Sequence, residues 1–329
     1  MMDFNNSLAK LSLDSGGEIY PLIIPAEHTD GLGLMNPSIY LDGDKILVNL
    51  RSVNYTFYHS EEKIFQHPYG PLTYIHPEND VHLRTQNYYL ELNNNFEIEK
   101  YLKINTSKFD TYEPQWEFIG LEDARLLRWE GKLYAAGVRR DLDTVGTGRM
   151  ELSELIVGDD EVFEFSRYRI PTPGNKESYC EKNWMPILDN PFQFVKWTNP
   201  TEIVQVDIKN DRCQTVKMKT KRDINIDLRG GSQVIKWRNF YLAITHEVDL
   251  FKNEAGRKDA VYRHRFVLWD KNWKLLRWTR DFSLMSGHVE FCAGLAYRDK
   301  EFMMSFGFQD NAAYILKFPE KIVEDLINE

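Results

Sequence analysis

Residues 88–102 read Y-Y-L-E-L-N-N-N-F-E-I-E-K-Y-L. Two short runs rich in aromatic and β-branched residues flank three asparagines. Strand-forming runs separated by a turn-forming cluster predict a β-hairpin. The plan recurs as E-L-S-E-L-I-V-G-D-D-E-V-F-E-F from Glu151, I-V-Q-V-D-I-K-N-D-R-C-Q-T-V from Ile203 and H-R-F-V-L-W-D-K-N-W-K-L-L-R-W from His264. The turns centre near Asn94, Asp159, Asn210 and Lys271, with spacings of 65, 51 and 61 residues. A hairpin-built repeat of this length is the signature of a β-propeller.

Between the hairpins lies a second repeated element, a polar motif that opens a strand. The five motifs are M-N-P-S-I-Y from Met35, G-L-E-D-A-R from Gly120, E-K-N-W-M-P from Glu181, L-R-G-G-S-Q from Leu228 and H-V-E-F-C-A-G-L from His288. Five motifs in 329 residues allow one four-stranded blade each. The expected fold is therefore all-β, a single five-bladed β-propeller over residues 1–329. Residues 56–85, rich in His, Pro and Tyr, form a loop insertion in the first blade. The fifth blade lacks a full outer hairpin, and G-E-I-Y-P-L-I-I-P from Gly17 can supply the strand that closes the ring. Residues 319–329 have helical spacing and form a short C-terminal helix outside it.

Composition narrows the function. With 41 basic against 50 acidic residues the net charge is −9, which opposes bulk nucleic-acid binding, since that requires a basic stripe. The apolar content of 42% and aromatic content of 13% suffice for a packed core and exclude disorder. Cys180, Cys213 and Cys292 have no metal-ligand or redox spacing, and no Asp/His pattern indicates a metal. No phosphate-loop or dinucleotide motif calls for a cofactor. No signal peptide or membrane span is evident, so a cytoplasmic protein without membrane contact is expected.

The first strand of a propeller blade lines the central channel and begins at one mouth, where loops from all blades converge. Polar residues at the five motifs would then share a funnel. Carboxylates accept hydrogen bonds from sugar hydroxyls and aromatic faces pack on sugar rings, so the set suits a carbohydrate. Inverting cleavage needs a carboxylic acid to protonate the leaving oxygen, and a second carboxylate nearby raises its pKa.

G-L-E-D-A-R, followed by an aromatic-rich strand, resembles the G-x-E-D-P-R motif of glycoside hydrolase family 130. That family comprises inverting mannoside phosphorylases and hydrolases with five-bladed propellers. It is similar in fold to families 43, 32 and 68 and to glycosyltransferase family 108. The resemblance implies that Asp123 is the general acid; Ala124 stands where the family has proline. It favours glycosyl transfer to or from phosphate, a sugar phosphate or a nucleotide sugar. An inverting hydrolase and a non-catalytic glycan-binding propeller are the alternatives.

The candidate catalytic residues are Asp123 and Glu290. The candidate sugar-binding residues are Asn36, Arg51, Glu122, Arg125, Asn183, Trp184 and Asp310. Either Glu290 or Asp310 could activate water or anchor a hydroxyl. Lys182, Arg229, Ser232, His246 and His264 are the candidate phosphate site, because guanidinium forks and other cations suit phosphate oxygens. Arg139 and Arg140 are additional cations, and Tyr55 and Tyr262 are further sugar platforms. The Gly230–Gly231 pair permits close backbone approach or simply a tight turn. The Trp269–Asp270 dipeptide lies in a hairpin turn and has no WD-repeat context.

Overall fold

The computed structural model describes residues 7–59, 72–75, 78–80, 82–175, 177–252 and 258–329. Its strands form five antiparallel blades. The first comprises Gly33–Asp42, Lys45–Val53, Leu83–Leu92 and Ile98–Asn105. The second comprises Glu122–Trp129, Lys132–Arg139, Arg149–Val157 and Val162–Arg169. Met185–Pro186, Gln193–Trp197, Glu202–Asp207 and Arg212–Met218 make the third. In the fourth, the inner strand is split into Arg229–Gly230 and Ile235–Trp237, which pair with Phe240–Lys252, followed by Lys258–Trp269 and Leu275–Trp278.

The four expected hairpins are the outer strand pairs of blades one to four. In the first, the Asn93 side-chain oxygen accepts from the N–H groups of Asn95 and Glu97, fixing the turn that the asparagines predicted. The fifth blade holds Glu290–Arg298, Glu301–Phe308 and Ala312–Pro319, and Glu18–Pro21 completes it by pairing antiparallel to Ala312–Pro319. The predicted ring closure is therefore present. The outer strands of blades one and two also meet in a short parallel pairing, Val162 with Ile104 and Phe163 with Asn105, which fuses them into one sheet.

Within the expected insertion, Thr56–His59 pairs with Leu72–Ile75. Residues 60–71, 76–77 and 81 lie outside the described residues. The insertion ends earlier than residue 85, because the third strand already begins at Leu83. The C-terminal helix is Glu320–Asn328. Its Ile322, Val323, Leu326 and Ile327 pack into an apolar cluster with Leu284, Leu316 and Phe318. Each such buried aliphatic contributes ~1.5–3 kcal/mol. An N-terminal helix, Leu8–Asp14, joins the same cluster through Leu8 and Ala9 and is capped by the Ser7 hydroxyl. Its alternating L-S-L-D ending gave no helical signal in the sequence.

The apolar clusters lie between blades, so both faces of most strands are buried. Polar side chains bridge the blades across the middle of the ring. Gln233 donates to the Ile39 and Leu295 carbonyls at 2.7 and 2.8 Å. Asn49 donates to the Ala124 carbonyl, and the Ser305 hydroxyl donates to that of Pro37. These inter-blade bonds form a floor, and the functional candidates cluster above it.

Candidate active site

Asp123 is the second residue of the second blade's inner strand and has a left-handed backbone, φ 48°. A register shift opposite Ala136 and Val138 accompanies it. Such a bulge turns a side chain away from the alternation of the strand, at the cost of backbone strain of about 1 kcal/mol or more. Asn36, Asn183 and Asp310 have the same conformation, with φ of 43°, 59° and 51°. Four blades thus spend strained backbone on polar residues from, or close to, the motifs singled out in the sequence.

The carboxylate of Asp123 is held through one oxygen. Asn36 Nδ2 and an Arg51 terminal nitrogen both donate to its Oδ1, each at 2.8 Å. Asn36 is itself seated against Gly307, where an added Cβ would lie 2.0 Å from the Asn36 Oδ1. Arg51 is buried and also donates to Tyr55 Oη at 2.6 Å and to Thr85 Oγ1. Its other carboxylate neighbour is Glu122, at 3.8 Å. Glu122 Oε1 is buried without a hydrogen-bond partner.

Three carboxyls therefore share the field of one buried guanidinium. Burial pushes Asp123 upward, but Arg51, Arg125, Asn36 and Lys182 outweigh it and hold the group below its ordinary value. Glu122 is raised, chiefly by burial and further by Asp123, against the pull of Arg51. Asp310 is pushed up to about 7 by burial and by Asp123 and Glu122, again against Arg51. Asp310 forms no hydrogen bond or ion pair among the described residues, although only 7% of it is exposed. Near neutrality the free site thus contains an ionised Asp123 beside an Asp310 that is only partly ionised.

Lys182 is exposed and makes no ion pair among the described residues. Its charge acts on Glu122, Asp123 and His246, which places it at the same mouth. Arg140, which also acts on Glu122, is anchored to the Gly146 carbonyl and the Tyr179 hydroxyl. Tyr262 feels Asp310, Asp123 and Arg229, and its ring stacks on that of His246 at 5.8 Å.

Several sequence candidates have other roles. Arg125 is fully committed: it donates to the Gly231 carbonyl at 2.9 and 2.6 Å and to the Asp123 carbonyl at 2.7 Å. It pins the fourth blade to the second and acts on Asp123 through its charge. Glu290 is buried, and its carboxylate accepts the N–H groups of Leu284, Met285 and Gly287 at 2.6–2.7 Å. It shapes that turn and is not free to activate water. Trp184 is 1% exposed, packs in the core between blades two and three and donates to Glu181. It is no sugar platform.

The proposed phosphate set also divides. Ser232 is buried, donating to the Gln233 carbonyl and accepting from Ile244 N. His264 is completely buried, and burial pushes it down to about 3, so it carries no charge. His246 is near the funnel, yet burial, aided by His264, Arg229, Lys182 and Arg125, holds it well below its ordinary value and neutral. Arg229 is exposed and paired with Asp227 at 2.6 Å. Arg139 belongs to a buried ion network away from the funnel. Lys182 retains an unpaired charge, and Asn183 lies beside it with the left-handed backbone noted above. The contribution of Thr85 was not foreseen; no motif marks it, and only its strand register against Val53 places it beside Arg51.

No family model and no curated protein matches the sequence. Solved structures do match. One is a β-1,2-mannobiose phosphorylase from Listeria innocua, 13% identical, with TM-score 0.55 over 95% of this chain and all of that one. Another is MPT-4, a mannose phosphorylase from Leishmania mexicana, 12% identical, with TM-score 0.53 over 96% of this chain and 93% of that one. A third is described with the family-130 mannoside phosphorylases, a family containing hydrolases that target β-1,2-mannosidic linkages. It is 13% identical, with TM-score 0.56 over 88% and 85% of the two chains. The chain has the family-130 propeller fold. The coverage extends the resemblance of the G-L-E-D-A-R motif to the ring as a whole. Among the described residues, no helix is long and apolar enough to cross a membrane, and no cluster of His, Cys, Asp and Glu is arranged to hold a metal.

Proposed function

We propose that the protein is a carbohydrate-active enzyme that acts with inversion at a glycosidic bond and transfers the glycosyl group to or from phosphate. One observation carries this reading: three carboxyls converge on a single buried arginine, with an unpaired lysine at the rim. The carboxyls supply proton transfer and hydroxyl anchors, and the lysine attracts an oxyanion. The nature of the related folds makes a β-mannoside the favoured substrate. A sugar phosphate or a nucleotide sugar is the equivalent donor in the transferase direction. A cytoplasmic location fits a phosphate-dependent reaction.

In phosphorolysis, a phosphate oxygen attacks the anomeric carbon as the bond to the bridging oxygen breaks. Asp123 gives its proton to that oxygen, and the products are a sugar 1-phosphate and the shortened saccharide. Asp123 is ionised in the free site, so it must gain a proton first. A phosphate dianion near Lys182 and Arg140 adds negative charge and offsets their pull, which raises Asp123 toward its acid form. Asp310 is the nearby carboxyl that can carry a proton near neutrality. Arg51 and Asn36 keep Asp123 oriented through Oδ1. Asp310, buried and unpartnered, is the best-placed anchor for a sugar hydroxyl, a role for which Glu290 is already occupied.

Hydrolysis is the second reading, favoured by Asp310 being raised to about 7 while Asp123 is lowered, a separation that suits an acid–base pair. Incubation of β-1,2-mannobiose with and without inorganic phosphate separates the two. Phosphate-dependent formation of mannose 1-phosphate, lost in Asp123→Asn, supports the transfer reading. Equal sugar release without phosphate overturns it in favour of the hydrolase. Saccharide binding without turnover leaves a glycan-binding propeller.

A further inference from the structure

A second cationic site lies at the seam of the third and fourth blades, lined by none of the funnel residues. A cleft of about 580 Å³ is bounded by Asn199, Thr201, Lys219, Thr220, Lys221, Arg222, Lys274, Leu275 and Leu276. Four of these residues are basic and none is acidic, in a chain whose net charge is −9. Among the described residues, Lys219, Lys221 and Lys274 form no ion pair.

The cationic loop is held in place. Asn199 donates to the Arg222 carbonyl and accepts from Arg222 N at 2.8 Å, while Lys219 N donates to the Thr201 carbonyl. The Arg222 guanidinium donates to the carbonyls of Leu275 and Leu276 and lies 4.7 Å from the centre of the Trp278 ring. The N–H groups of Thr220 and Lys221, between the two anchored positions, make no hydrogen bond among the described residues. These two N–H groups are further donors for an anion beside the four cations. Concentrating like charge this way is unfavourable unless an opposite charge relieves it.

We propose that this cleft binds a small, multiply charged oxyanion of the phosphate class. The site goes beyond the funnel reading and does not depend on it. Inorganic phosphate chains and phosphorylated sugars offer the same chemistry, so the test uses tripolyphosphate and a sugar 1-phosphate as separate probes.

Isothermal titration would compare wild type, the triple variant Lys219→Ala/Lys221→Ala/Lys274→Ala, the charge-retaining triple Lys→Arg variant and Lys182→Ala. Wild type should bind tripolyphosphate saturably, more weakly at higher salt. The triple alanine variant should lose ~10-fold or more in affinity. The arginine variant should retain binding, and Lys182→Ala should keep the binding component that the triple alanine variant removes, which separates this site from the funnel. Tighter binding of the sugar 1-phosphate, lost in the same triple variant, would make the ligand a phosphorylated sugar. Unchanged affinity in the triple alanine variant, or no saturable binding of either probe by wild type, would overturn the proposal. None of the three lysines is a member of a core cluster, so unchanged thermal melting should accompany the substitutions.

Discussion

The second blade carries two buried charge clusters that answer opposite purposes. At the seam with the first blade, Arg139 meets Glu151 at 2.8 Å, Asp141 at 3.3 Å and Asp110 at 3.4 Å. Arg167 binds Asp110 and Glu164, Arg169 binds Glu151, and the Ser153 hydroxyl donates to Glu164. A cavity of about 430 Å³ borders this network and reaches Thr85, and Glu122, Asp123 and Asp310 are not among the residues that line it. In the funnel, one guanidinium serves three carboxyls, Glu122 has an orphaned oxygen and Asp310 has no partner. Burial alone does not separate them. Saturation does: the seam closes its hydrogen bonds internally, whereas the funnel leaves acceptors for something that has yet to arrive.

The contrast can be broken experimentally. The largest effect should come from Asp123→Asn, with kcat falling ~10²–10⁴-fold in a protein that stays folded, its melting temperature lowered because buried Arg51 loses an ionised partner. A loss of fold with the activity would assign Asp123 to structure. Arg139→Ala should do the converse, destabilising by ~3–5 kcal/mol in chemical denaturation because buried carboxylates lose their partner. The folded fraction should retain its specific activity.

Asp310→Asn sharpens the comparison through pH. A carboxyl whose folded pKa is raised gives stability that is complete below its unfolded value of about 3.8. That stability disappears as pH rises through the folded value of about 7. Wild type should therefore lose stability across this window, on the order of 4 kcal/mol, and Asp310→Asn should flatten the loss. An unaltered pH profile of melting would remove Asp310 from the coupled cluster. The smallest effect should be that of Lys182→Ala, with KM for phosphate rising about tenfold and stability unchanged. An unaltered KM would shift the choice toward hydrolysis.

Much of the ring was readable because hairpins announce themselves locally. The asparagine turn at 93–95 and the polar starts of the inner strands required only strand period and turn chemistry. The identity of the free polar groups was harder to read. Both faces of a propeller strand are buried between neighbouring blades, so alternation does not distinguish Trp184, packed in the core, from a residue facing the channel. Ser232, His264 and Glu290 sit at or near the expected motifs, yet their polar atoms are consumed by backbone or sealed by aromatic neighbours. Arg51 and Arg125 look equivalent as single letters, while their partners lie on distant blades. The left-handed backbone at Asp123 and Asp310 also has no letter-level signal, since neither is glycine.

The strand Glu18–Pro21 has a consequence for how the molecule is made. It belongs to the fifth blade, but it leaves the ribosome ahead of every other blade strand. Until Ala312–Pro319 follows, its hydrogen-bonding edge has no native partner. The ring is a clasp that fastens only once Ala312–Pro319 has been made, so a product stalled before that strand would expose two open sheet edges at once.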